Sequence, residues 1–98
     1  MTMKIVWIAY NQAIGDEVSE SLKRCGVKTY TKIPVVHGVG QHSGSHMNSH
    51  IWPGVNALLM IACSEETKDR LLAEVRKLKK LFEKEGIKAF VTPVEAEV

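Results

Sequence analysis

The chain has 98 residues, 45% of them apolar and 24% charged, with a formal net charge of +2 at pH 7. That length suits a single domain, 1–98, able to bury one core without staples. The balance excludes disorder, collagen and a disulfide scaffold, and the small charge argues against nucleic acid or an anionic membrane as the main partner. No apolar run reaches the roughly 18 residues of a membrane-spanning helix, so no direct membrane insertion is expected. Met1 to Tyr10 lacks the basic start and cleavage site of a signal peptide, so the expected location is cytoplasmic. Cys25 and Cys63 stand far apart and outside any C-x-x-C pair. They read as small core residues, and sequence alone leaves a disulfide between them open.

Met3 to Tyr10 is rich in β-branched and aromatic residues and predicts a strand. Asn11 can cap the segment after it. Ile14, Val18, Leu22 and Cys25 then recur at helical spacing, with Asp16 and Glu17 early and Lys23 and Arg24 late, as the helix dipole favours. Gly26 stops that helix. Val27 to Val36 returns to strand chemistry, and Pro34 marks its end as an edge or as leaving the sheet. His37 to Gly54 holds Gly38, Gly40, Gly44, Gly54 and Pro53, which predicts a long loop of the kind that is usually functional or disordered. Val55 to Cys63 is a third strand. Ser64 is a good N-cap before Glu65 and Glu66, and Leu71, Leu72, Val75, Leu78 and Phe82 form the stripe of a long amphipathic helix that Gly86 ends. Ile87 to Val94 is the fourth strand.

The order βαββαβ predicts an α+β fold of the ferredoxin-like, split βαβ kind: a four-stranded antiparallel sheet with both helices on one face. The face without helices should then be polar. The strands do not oblige, because Ile5, Trp7 and Ala9 oppose Val6, Ile8 and Tyr10, and Ala57, Leu59 and Ile61 oppose Leu58, Met60 and Ala62. Phe90 and Val94 likewise oppose Ile87, Ala89 and Val91. Either a further loop or tail covers this second face, or identical subunits bury it together; the size of the patch favours the subunits. A charge at Leu59 or Phe90 tests this, provided the side chain lies on the shared face.

Val36-His37-Gly38-Val39-Gly40-Gln41-His42-Ser43-Gly44, at the end of strand two, resembles the nitrogen-regulatory P-II superfamily. There this place reads roughly Val-x-Gly-x-Gly-x-Gln-x-Gly-His and opens a long partner-contacting loop. The resemblance implies a homotrimer with the sheets at its centre. It implies an effector site in the clefts between subunits at Gly38, Val39, Gly40, Gln41 and His42, with an adenine nucleotide, ATP or ADP, as candidate ligand. It also implies a partner protein, a transporter or an enzyme, gripped by the loop about 37–54. Two departures stand out. The basic, glycine-rich phosphate loop before the last strand is reduced to Glu85-Gly86-Ile87, and Ser45 to His50 contains no tyrosine to modify. The chain looks like a short, divergent member, and the divalent-cation-tolerance proteins are a second relative by fold.

All four histidines sit in the uncharged stretch from Ile33 to Ser64. His37, His42, His46 and His50 are candidate ligands for zinc, copper or nickel, alone, across a threefold axis, or with Cys63 or a carboxylate. The alternative function is thus transition-metal binding or metal tolerance. Against it, the loop lacks Cys and carboxylates and could use histidine simply for solubility, or for sensing pH. Trp52-Pro53-Gly54 reads as an anchor and turn, and Lys77, Lys79, Lys80 and Lys84 as a solvated face. Asp16 and Glu17 are adjacent and do not converge on a helix, and no Ser or Cys stands in a nucleophile motif. The expectation is a regulatory, ligand-binding module and not an enzyme.

Overall fold

The structure, a computed structural model, describes residues 3–39 and 55–98. Strand β1 is Met3–Asn11, followed by a 3-10 turn at Gln12–Ile14 and helix α1 at Gly15–Arg24. Strand β2 is Thr31–Val36, β3 is Asn56–Ser64, helix α2 is Glu65–Leu81 and β4 is Ile87–Pro93. The sheet order is β2-β3-β1-β4, with every neighbouring pair antiparallel. This is the ferredoxin-like α+β arrangement that the element order predicts.

Each helix is defined by its ends. In α1, Asp16 and Glu17 occupy the first turn and Lys23 and Arg24 the last, complementing the dipole. Gly26 takes φ +76, the left-handed region that glycine enters without a Cβ penalty. Its N–H donates to the Lys23 carbonyl at 3.0 Å, and the Val27 N–H to the Leu22 carbonyl at 3.0 Å. That pair of bonds is the Schellman closure. It explains why β2 begins at Thr31 and not at Val27: the Val27 backbone is taken by the helix end, and residues 27–30 form a connection instead. At α2, the Ser64 hydroxyl accepts from the Thr67 N–H at 3.2 Å. Asn11 does cap, accepting from the Ala13 N–H at 2.8 Å, but it caps the 3-10 turn, and α1 itself has no side-chain cap.

Both helices cover one face of the sheet. Val6, Ile8, Tyr10, Ala57, Leu59, Ile61 and Ile87 pack there with Val18 and Leu22 of α1 and with Leu71, Val75 and Leu78 of α2. Arg24 ties the helices together, its Nη2 donating to Glu74 Oε1 at 2.9 Å. Lys79 Nζ donates to the Ile87 carbonyl at 2.9 Å, which fixes the end of α2 on the start of β4.

The opposite face stays apolar. Trp7 lies between Met60 on one side and Phe90 on the other, Ala9 lies beside Leu58, and Ile33 pairs with Leu58 from the edge. Trp7 Nε1 donates to Thr92 Oγ1 at 3.1 Å, so the indole lies along the sheet with its polar atom satisfied. Phe90 is 61% exposed and Ile33 47% exposed. Leu59, by contrast, is 1% exposed and belongs to the helix-covered core. Of the two positions proposed for charge insertion, only Phe90 lies on the open face. Pro34 sits on edge strand β2, where the pairing with β3 shifts between Ile33 and Val36, as its missing N–H requires. No helix among the described residues is long and apolar enough to cross a membrane.

Candidate functional site

Among the described residues, two places that gather groups from different elements could receive a ligand, and they lie at opposite ends of the sheet. The first is a pocket at the end where β1 starts and β3 finishes. Gly26, Val27, Lys28 and Thr29 line it from the α1–β2 connection, with Ile61, Ala62, Cys63 and Ser64 from β3 and Thr67 from the first turn of α2. The Schellman closure turns the chain at Gly26 and lays the connection against the end of β3. The pocket's volume is about 170 Å³. Small-molecule sites usually enclose roughly 300–1,000 Å³, so this pocket is smaller than most of them.

The pocket is polar at its rim. Ser64 donates its hydroxyl proton to Thr67 Oγ1 at 3.2 Å, which leaves the Thr67 hydroxyl proton for a further acceptor. Lys28 brings a positive charge, and Lys68 stands behind, donating to Asp69 Oδ1 at 2.7 Å and Glu65 Oε2 at 2.9 Å. These bonds, that to Asp69 first, hold the Lys68 ammonium above its ordinary range. Burial pushes the Cys63 thiol up, against the pull of Lys68. Cys25, one residue before the pocket wall, is raised chiefly by burial as well. Both cysteines are free thiols.

The second place is the root of the 37–54 loop. His37, Gly38 and Val39 are exposed, and among the described residues, chain neighbours apart, no heavy atom lies within 4 Å of where a Cβ on Gly38 would sit. The described residues therefore set no steric demand for glycine at that position. Gly40, Gln41, His42, His46 and His50 lie outside the described residues. Gln12 holds both feet of the loop: its Nε2 donates to the Pro34 carbonyl at 2.6 Å, and its backbone N–H to the Val55 carbonyl at 2.8 Å. Sequence reasoning passed over Gln12, because a polar residue after a strand carries no signal of what it will bridge.

The pairing register separates the two places. Val36 lies opposite Asn56 at one end of β3, and the pocket surrounds Cys63 and Ser64 at the other. At roughly 3.4 Å per residue the ends are some 25–30 Å apart. The root of the loop and the pocket therefore cannot form one site within one chain, and Cys63 is not brought to His37. Among the described residues no group of three or more His, Cys, Asp or Glu could hold a metal ion. A third depression, about 310 Å³, is formed by the consecutive run Lys80 to Glu85 at the end of α2 and gathers no groups from other described elements.

Comparison with known proteins places this geometry. The family model for the nitrogen regulatory protein P-II matches residues 3–98. A PII-like protein from Thermus thermophilus is 28% identical, with a TM-score of 0.68 over 96% of this chain and 87% of that one. CPII from Thiomonas intermedia, a PII-like protein solved with ADP and bicarbonate, is 25% identical, with a TM-score of 0.71 over 96% and 87% of the two chains. The same protein with ADP, AMP and bicarbonate gives a TM-score of 0.72 at 22% identity, over 100% and 96%. Comparison with the curated proteins gives no match. The sheet order and a family-model match running from β1 to the last residue make the chain a member of the nitrogen regulatory P-II family.

Proposed function

We propose that the protein is a P-II-like regulator that takes up an adenine nucleotide at clefts between identical subunits and acts on a partner protein through the 37–54 loop. The observation that carries this reading is the incomplete pocket. It has a wall of glycine backbone and paired hydroxyls, a neighbouring lysine, and too little volume to enclose a nucleotide within one chain. A second copy, docked on the apolar sheet face, would supply the missing wall. It would bring its own loop root, with Gly38, Val39, Gly40, Gln41 and His42, toward the pocket of its neighbour. Binding would then order that loop, and the ordered loop would grip or release a transporter or enzyme, a disorder-to-order switch.

ADP or AMP suits this site better than ATP. The connection between Leu81 and Ile87 stands at the loop-root end, where the Asn11 N–H donates to the Gly86 carbonyl at 2.9 Å. A neighbour docked by its loop root would bring with it only Lys84 and Gly86 as cation and glycine, so a third phosphate would find few partners. The relative CPII holds ADP with bicarbonate, which makes that pair the first probe. Isothermal titration of the protein with ADP, AMP and ATP is expected to give one site per subunit, with ADP or AMP tighter than ATP. A protein that binds none of them would overturn the reading.

A further inference from the structure

We infer that Cys25 and Cys63 form a redox pair whose disulfide locks the wall of the ligand pocket. Both thiols belong to the helix-covered side at the same end of the sheet. Cys63 continues the inward parity of Ala57, Leu59 and Ile61 along β3 and packs on the core. Cys25 is the C-cap of α1, 4% exposed, inside that same core. The two residues after it, Gly26 and Val27, share the pocket lining with Cys63. A bond between the sulfurs would pin the turn at the end of α1 to the end of β3. It would draw together the two segments between which the pocket opens.

The surroundings decide how the pair would react. Cys25 is acted on by Glu74, which opposes its ionisation, and by Arg70, Arg24 and Lys77, which favour it, while Cys63 feels Lys68 and Cys25 itself. Burial dominates at both, so neither thiol is a ready thiolate at neutral pH, and oxidation should accelerate as pH rises. The accessible partner is Cys63, which faces the pocket. With a small disulfide such as oxidised glutathione, the Cys63 thiolate attacks one sulfur and expels a glutathione thiolate, leaving a mixed disulfide. The Cys25 thiolate then attacks the Cys63 sulfur and expels the second. The protein gives up two electrons and two protons, and the oxidant becomes two thiols.

The inference deepens the nucleotide reading and rests on it for the identity of the occupant. The test treats the full chain with oxidised glutathione at pH 8 and reads it in three ways. Intact mass and non-reducing peptide mapping should show a Cys25–Cys63 link within one chain, reversed by dithiothreitol. Cys25→Ala should stop at a glutathione adduct on Cys63. In the linked wild type, hydrogen exchange of the Val27–Thr29 amides should slow, and ADP binding should weaken roughly tenfold or more. A wild type that stops at the adduct, links different chains, or becomes linked with unchanged exchange at Val27–Thr29 overturns the inference. If reduced protein takes up no ADP, the nucleotide reading falls by itself, and mapping with exchange still decides the redox pair.

Discussion

Gln12 is the residue on which the placement of the loop turns. Its side chain reaches Pro34 in β2 and its backbone N–H reaches Val55, just before β3, so the chain on either side of residues 37–54 is fixed relative to β1. Replacing it with alanine removes the bond to Pro34 and leaves the backbone bond to Val55. The expected result is an unchanged fold with faster hydrogen exchange at Val35 to Val39 and weaker response of the loop to ligand. Glu74 makes a second prediction. The Arg24 guanidinium holds its carboxyl below the usual range, so its folded value is lower than its unfolded one. The stabilisation is present above the ordinary glutamate value of about 4.5 and is lost as pH falls through the depressed one. Thermal melts of the wild type and Glu74→Gln should differ at neutral pH and converge in acid. A difference that persists in acid would remove Glu74 as its source.

The elements were legible wherever chemistry and local geometry agree. Ser64 and Gly26 announced their caps, and the stripe from Leu71 to Phe82 announced α2. Truncating Ser64 to alanine should cost about 1 kcal/mol, the usual effect of an N-cap, measured by denaturant unfolding. The start of β2 was not legible, because Val27 and Tyr30 are as strand-like as any residue in β2 itself. What excluded Val27 was a hydrogen bond to Leu22, a property of how the preceding helix ends. The pocket was hidden for the same reason: its wall lay in residues read as a helix stop and as strand, and Ser64 was already accounted for by capping. The loop root was visible only through its family resemblance, since the described residues set no steric demand for glycine at Gly38. His42, His46 and His50, the heart of the metal reading, lie outside the described residues.

At the scale of the molecule, the unpaired apolar face and the small pocket are the two features that the proposed assembly of identical subunits would complete. The face could be read from strand parity, though parity alone did not say which set faced the helices. That assignment separates two substitutions which the sequence could not tell apart. Leu59→Asp places a charge among core residues and should abolish folding, whereas Phe90→Asp should leave a folded chain that no longer assembles. Circular dichroism with sedimentation distinguishes the two. A Phe90→Asp protein that assembles like the wild type would show that the open face is not the shared one.

The most direct measurement is native mass spectrometry of the untagged protein with ADP, ATP and Zn(II), each added alone. The account predicts a homotrimer that takes up ADP at one per subunit and carries no stoichiometric zinc. A folded monomer, or a trimer that ignores every nucleotide while holding zinc until the pH drops below the ordinary imidazole value of about 6.5, would contradict it.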